Sequence, residues 1–301
     1  GGGVEIAGEI VAYPLQREDI SYGFSGNALP LQEGYFSLPT PNSRNSSSAV
    51  VGFVADTKFS HHRGLYSEPF SVKITTATPG AIIRYTTDGS APTLGNGAEY
   101  PGSPGILIRG TTALRATAFL DGYEPTIVDT QTYLFPDHVP DQPRVPAGFS
   151  TSWTGWDYEM DRDLRSLRSI VDSPSATVPE AKSIVAGALQ ALPALSIVMD
   201  IDDLFGTARG IYHNTEGRGM AWERPCSVEL IDPEQGGLLQ IDCGIRIQGF
   251  TSRNASRNPK HSLRLAFRKT YGAGKLRCPL FGRDAADEFD TIVLRSNSQD
   301  A

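Results

Sequence analysis

The chain has 301 residues, with 27 Lys/Arg against 34 Asp/Glu and a formal net charge of −7. That balance argues against nucleic acid as a main partner, and no apolar run approaches the 18 or so residues of a membrane-spanning helix. The length fits two or three domains, and 31 glycines with 21 prolines are the turn content of loop-rich β proteins.

The chain opens in a strand-like stretch, residues 4–11, and closes just past another at 291–295. Both ends read as cuts through folded domains, so we expect a fragment, with any targeting signal lying outside it. Residues 1–45 read as the tail of a β domain and 46–57 as a polar linker. Residues 58–135 carry strand patterns at 70–75, 81–86, 105–109, 112–119 and 127–135. Phe70-Ser-Val-Lys-Ile74-Thr alternates with period two, and Asp88-Gly89 is a turn signal. About seven short strands in about 80 residues is the spacing of an immunoglobulin-like β-sandwich. Four prolines over 136–150 predict an extended, semi-rigid linker.

From residue 151 the pattern changes. Leu164, Leu167 and Ile170 sit at helical spacing over 159–171. Thr177-Val-Pro-Glu180 is a capping box that opens a second helix, which Pro193 ends. Strands follow at 195–199, 226–231, 240–247, 261–268 and 291–295. The region 151–301 is therefore expected to be α+β with a mostly antiparallel sheet. The fold class as a whole is multidomain, β and α+β. Trp153, Trp156 and Tyr158 are expected to pack the helical lead-in against that sheet.

Chemistry concentrates in residues 246–277. Nine of the 27 basic residues lie there without one Asp or Glu, which leaves 18 basic against 34 acidic residues elsewhere, a net of −16. A cationic island on an acidic chain points to an anion site. Gly249, Ser252, Arg253 and Arg257 form a Gly/Ser/Arg loop that leads into a strand starting at Lys260. Backbone N–H groups, bidentate arginines and a lysine point charge are what phosphate binding needs. Against this stands the plain reading of solvated loop arginines and a strand-end lysine. Arg246 and Arg264 are expected to be structural, facing water or pairing with Asp242 or Glu229.

Other motifs are weaker. Asp202 or Asp203 is expected to cap a turn at Leu204-Phe205 rather than hold metal. Gly272-Ala-Gly274-Lys275 lacks the spacing of a phosphate loop and reads as a hairpin turn. Cys226, Cys243 and Cys278 match no zinc spacing; the first two lie on neighbouring predicted strands, as single buried thiols or as a pair. His61-His62 is weak as a metal site, and no Ser-His-Asp or Cys-His arrangement can be argued. Asp88 lacks the partner carboxylate that glycoside hydrolysis requires.

Three blocks resemble known families. Tyr13-Pro-Leu-Gln16 and Asp19-Ile-Ser21-Tyr22-Gly23, with Gly34-Tyr35-Phe36, resemble the end of a lamin-tail-like domain. Ile83-Arg84-Tyr85-Thr86-Thr87-Asp88-Gly89-Ser90 is similar to the chitobiase/β-hexosaminidase C-terminal-type domains. Asp157-Tyr158-Glu-Met160-Asp161, Leu195-Ser-Ile-Val-Met199-Asp200 and the 246–268 block resemble the front of a CotH-type (spore-coat protein H-like) atypical kinase domain, matched at Gly249, Ser252, Arg253, Lys260 and Ser262. Phe250 and Thr251 depart from that family's smaller or polar residues. The resemblance implies a secreted or surface bacterial protein that binds ATP and Mg2+ and phosphorylates Ser/Thr of an extracellular or cell-envelope protein. It places Lys260 on the phosphates with an acidic partner such as Glu229. The catalytic carboxylates would lie beyond Ala301, which leaves the fragment itself inactive. The rival expectation is a non-catalytic adhesion scaffold whose β-sandwich binds glycan.

Overall fold

The computed structural model describes residues 10, 12–14, 16, 20–25, 31–38, 40–45, 48–143, 145–146, 149, 178–234, 236–254, 260–282 and 284–296. The expected strand at 4–11, the helix over 159–171, the aromatic group Trp153/Trp156/Tyr158 and Arg257 lie outside or almost outside these residues.

A five-stranded sheet organises the first half. Its strands are β1 (Gly64–Leu65), β2 (Ile82–Thr86), β3 (Ala98–Glu99), β4 (Thr112–Phe119) and β5 (Asp129–Leu134), in the order β1-β5-β4-β2-β3. β1 joins β5 in parallel and the other pairs are antiparallel. Short pairs face it as a second layer: Phe70–Val72 with Ile106–Ile108, and Lys58–Phe59 with Ile74–Thr75. The alternation along β4 sends Leu114, Ala116 and Ala118 into a core shared with Val72, Ile74, Ile108 and Tyr133. Each such large aliphatic side chain contributes about 1.5–3 kcal/mol through burial. The result is an immunoglobulin-like sandwich. Gly52–Phe53, within the stretch expected as linker, pairs with Tyr123–Glu124, and Val54 is buried in the same core. Upstream, Ser21–Phe24 and Glu33–Phe36 form a hairpin, and Tyr35 packs edge-on against Phe53 at 4.7 Å.

The second sheet is an antiparallel meander of β6 (Ala194–Val198), β7 (Arg224–Asp232), β8 (Gly236–Gln248), β9 (Ser262–Ala266) and β10 (Thr291–Leu294), with neighbours in chain order. One face buries Cys226, Val228, Cys243, Ile245 and Leu265. Cys226 and Cys243 are direct cross-strand partners; both are free thiols with their Sγ atoms 3.5 Å apart.

The opposite face of the second sheet is polar and packs on the polar outer face of the first. Arg115, Thr117, Thr130 and Thr132 alternate away from the sandwich core yet are buried. The Thr132 backbone N–H donates to Glu229 Oε1 at 3.1 Å and its hydroxyl donates to Oε2. The Arg63 guanidinium lies 3.1 Å from Glu229. The Thr130 N–H donates to the Gln240 side-chain oxygen at 3.4 Å. At the edge, Gly89 turns with φ +85°, and a Cβ there would sit 2.6 Å from the Met199 carbonyl oxygen. Gly89→Ala is therefore expected to lower stability by about 1–3 kcal/mol, read by chemical denaturation. A neutral effect would show that the contact between the two halves gives way freely.

Two helices complete the described structure: α1 (Val178–Gln190) and the one-turn α2 (Ile201–Phe205). Asp200 caps α2, accepting the Asp202 N–H at 2.8 Å. The cap is thus neither Asp202 nor Asp203, because the helix starts one residue after Asp200. Asp203 is instead buried against Arg209 and Arg224. The proline-rich stretch is not wholly extended. Pro136–Asp141 forms a 3-10 turn that buries Pro136 and Pro140, and Asp141 pairs with Lys182 of α1 at 2.5 Å. Residues 272–275 do not close a hairpin: Leu276–Arg277 pairs onward with Glu288–Phe289, while β9 is already flanked by β8 and β10.

Candidate anion site

The cationic segment is the β8–β9 connection and what lies around it. β8 ends at Gln248, and Gly249 turns the chain with φ +114°. A Cβ at Gly249 would collide with Ser252 Oγ, so the tight turn depends on glycine there. Thr251–Arg253 make one 3-10 turn.

Arg253 is the organiser of this loop. Its Nε donates to the Gly249 carbonyl at 2.7 Å and Nη2 to the Ile247 carbonyl at 2.7 Å. Nη1 reaches the carbonyls of Thr215 at 2.5 Å and Gly217 at 2.8 Å. The side chain is buried, and four of its five N–H donors are spent on backbone oxygens. This corrects the expectation of an open phosphate clamp: the planar fork of an arginine suits several fixed carbonyls as well as it suits an anion.

His261 backs the loop. Its Nδ1 lies 2.9 Å from the Ser252 carbonyl, so that nitrogen carries the hydrogen. Burial first, and then the nearby Arg253, hold the imidazole below its usual range, which favours the neutral ring. The Tyr212 ring lies 5.3 Å from it.

A cavity of about 230 Å³ opens in front of the loop, with walls that include Gly249, Ser252, Ser262, Arg295 and Ser296. The Ser262 and Ser296 hydroxyls are 3.0 Å apart, and the Ser296 N–H donates to Ser262 Oγ at 2.9 Å, which ties the start of β9 to the end of β10. Of the expected residues, Gly249, Ser252 and Ser262 line this cavity. Lys260 stands exposed outside its walls. No carboxylate of the described residues pairs with Lys260. Glu229, expected as its partner, points at the sandwich and is held by Arg63 and Thr132. Arg246 likewise pairs with neither Asp242 nor Glu229. It lies 3.2 Å from Glu223, a fully buried carboxylate that Arg268 approaches at 2.8 Å from the other side. Arg264 sits directly across from Arg246, on the neighbouring strand.

Arg295 and Ser296 were not singled out in the sequence. Arg295 lies outside the basic island, and only the pairing of β10 with β9 brings it to the loop. The wall set fits a phosphate group: a glycine turn, the hydroxyl residues Thr251, Ser252, Ser262 and Ser296, and a guanidinium. It does not fit Mg2+. The cavity walls hold no carboxylate, and the described residues contain no group of three or more His, Cys, Asp or Glu placed to hold a metal.

Residues 62–130 match the chitobiase/beta-hexosaminidase C-terminal domain family. They form most of the sandwich. No curated protein and no solved structure matches the chain. No helix among the described residues is long and apolar enough to cross a membrane.

Proposed function

We propose that the cavity in front of the 249–253 loop binds the phosphate end of ATP, and that the region after the sandwich is the front of a CotH-type protein kinase acting on Ser/Thr of an extracellular or cell-envelope protein. One observation carries this reading: Gly249, Ser252, Ser262, Ser296 and Arg295 converge on a single cavity beside a segment free of acidic residues. The five-stranded antiparallel meander is compatible with such a lobe. In this reading Arg253 and His261 hold the loop in shape, and Arg295 takes the role of the phosphate-facing cation, with Lys260 at the approach. The hairpin at residues 21–36 would then be the end of a lamin-tail-like domain, and the protein a secreted or surface one.

The test is calorimetric titration of the chain with ATP and with inorganic triphosphate. Saturable binding of both is expected, weakened roughly tenfold or more by Arg295→Ala, the loss of one charge-assisted contact. Lys260→Ala should weaken it less. A flat titration, or an Arg295→Ala variant that binds unchanged, overturns the assignment.

One observation favours a second reading, a non-catalytic surface scaffold that binds glycan or another envelope component. Glu229, the acidic residue nearest in role to a kinase lysine partner, is committed to joining the two halves of the molecule.

A further inference from the structure

We infer that Cys226 and Cys243 are a disulfide-forming pair, and that the chain, folding in an oxidising medium, closes one covalent bond between β7 and β8 there. The two residues sit directly opposite each other in the antiparallel register, and their Sγ atoms are 3.5 Å apart. Opposite residues of antiparallel strands have Cα atoms about 4.5–5.5 Å apart, inside the range of about 4.4–6.8 Å that disulfides span. A bond of about 2.05 Å asks the sulfurs to approach by about 1.5 Å. Small turns of the two side chains on a fixed backbone supply that.

The surroundings narrow the pair to this chemistry. Both side chains are buried in one apolar cluster with Val228, Ile245 and Leu265, and each sulfur has the other as its hydrogen-bond partner. A structural zinc site takes about four ligands, and the described residues contain no group of three or more His, Cys, Asp or Glu placed to hold a metal. Cys278 is less buried and follows the separate Leu276–Arg277 strand. The register therefore singles out one pairing among the three cysteines.

Burial decides when the bond forms. The hydrogen bond with Cys243, and then burial, hold the Cys226 thiol well above its usual range. The thiolate is the attacking species, so the folded, reduced chain reacts slowly. Exchange is fast while the β7–β8 hairpin has formed and the rest of the chain does not yet cover it. The oxidant is a small-molecule disulfide such as oxidised glutathione. One cysteine loses its proton and attacks it, expelling a glutathione thiolate and leaving a mixed disulfide. The other cysteine loses its proton and attacks the protein sulfur of that mixed disulfide, expelling the second glutathione thiolate. Two protein thiols give up two protons and two electrons, and the oxidant becomes two glutathione thiols. The finished bond ties together the two strands whose Glu229 and Gln240 side chains reach the sandwich.

The test takes the whole chain, unfolded and reduced in urea, and refolds it by dilution into a glutathione redox buffer. Remaining thiols are blocked with iodoacetamide under denaturing conditions, and the peptides are mapped by mass spectrometry. Peptides joined through Cys226 and Cys243 are expected, with Cys278 alkylated. The urea midpoint of the oxidised chain should lie about 1 M above that of the same chain in dithiothreitol. Cys278→Ser, which leaves only this pair, should keep the shift, and Cys243→Ala should lose it. Because Cys243 is buried and its replacement can itself unfold the chain, the mapped peptides of the unaltered chain decide. Cys226 and Cys243 both alkylated, either one joined to Cys278, or a midpoint indifferent to dithiothreitol would each overturn the inference.

Discussion

Arg253→Ala is expected to destabilise the chain by about 3–5 kcal/mol and to abolish anion binding in front of the 249–253 loop. Four carbonyls set the size of the effect. Gly249, Ile247, Thr215 and Gly217 all accept from one buried guanidinium. Hydrogen bonds to a charged group are worth about 1.5–3 kcal/mol each, and the buried acceptors are left unpaired when the donor goes. Water can recover only part of the loss. The two loops that Arg253 joins would separate, and Gly249 and Ser252 would leave the cavity wall. Lysine should not rescue, because a point ammonium cannot reach carbonyls spread around a planar fork. Urea denaturation gives the stability, and hydrogen exchange at 215–217 and 247–249 reads the loops. A loss under about 1 kcal/mol with unchanged exchange would show that the loop holds itself.

The strands were legible because most have one buried and one polar side. Period-two alternation, as over 70–75, marks a pleated surface whatever covers it. Ile82–Thr86 and Thr112–Phe119 match the expected ranges to within a residue, whereas the strand expected at 240–247 runs from Gly236 to Gln248 and the one expected at 70–75 is split into Phe70–Val72 and Ile74–Thr75. What covers the polar side was not legible. At Arg115, Thr117, Thr130 and Thr132 nothing local distinguishes polar residues in water from polar residues buried against another polar sheet. The same blindness misassigned Glu229. The sequence offered Lys260 as its partner through resemblance, whereas Arg63 and Thr132 belong to a part of the chain that only tertiary packing brings near. Arg253 was read as an open clamp because composition counts charges and cannot count the carbonyls around them. The anion cavity was partly legible: Gly249, Ser252 and Ser262 stood in the basic island, but Arg295 and Ser296 reach it only through the β9–β10 register.

Glu229→Ala should undock the sandwich from the second sheet, at a cost of about 3–5 kcal/mol, the range for removing one member of a buried ion pair. The carboxylate is fully buried, and its two oxygens serve Arg63, the Thr132 N–H and the Thr132 hydroxyl. Without it, the Thr132 N–H loses its acceptor, the Thr132 hydroxyl keeps only Ser196, and the buried Arg63 guanidinium loses its counter-charge and keeps only the Thr130 carbonyl and Gln131. Burial is also the largest influence on the Glu229 carboxyl and pushes it above its ordinary range, against the opposing pull of Thr132 and Arg63. Asp129 and Asp242 are raised by burial too. The sign of the pH dependence follows. A carboxyl with a raised folded-state pKa binds its proton more tightly in the folded chain than in the unfolded one. Stability therefore falls as pH rises from the ordinary carboxyl value, about 4, through the higher folded value, and the penalty is complete above it. Glu229 and Asp242 make docking stronger in mild acid than at neutral pH, and Asp129, bonded to Thr57, tilts the stability of the sandwich itself the same way. Glu229→Gln separates the two contributions: it keeps an acceptor for Thr132, so it should cost less than alanine, and it removes the Glu229 share of the pH slope. Urea denaturation of the parent and the glutamine variant from pH 4.5 to 7.5 measures both. His261, held low by burial, and Asp88 and Glu288, held low by their hydrogen bonds to Ser90 and Lys275, slope the other way. The comparison of the two chains therefore decides: a glutamine variant with the parent's slope would place the titrating charge elsewhere than at the junction of the two sheets.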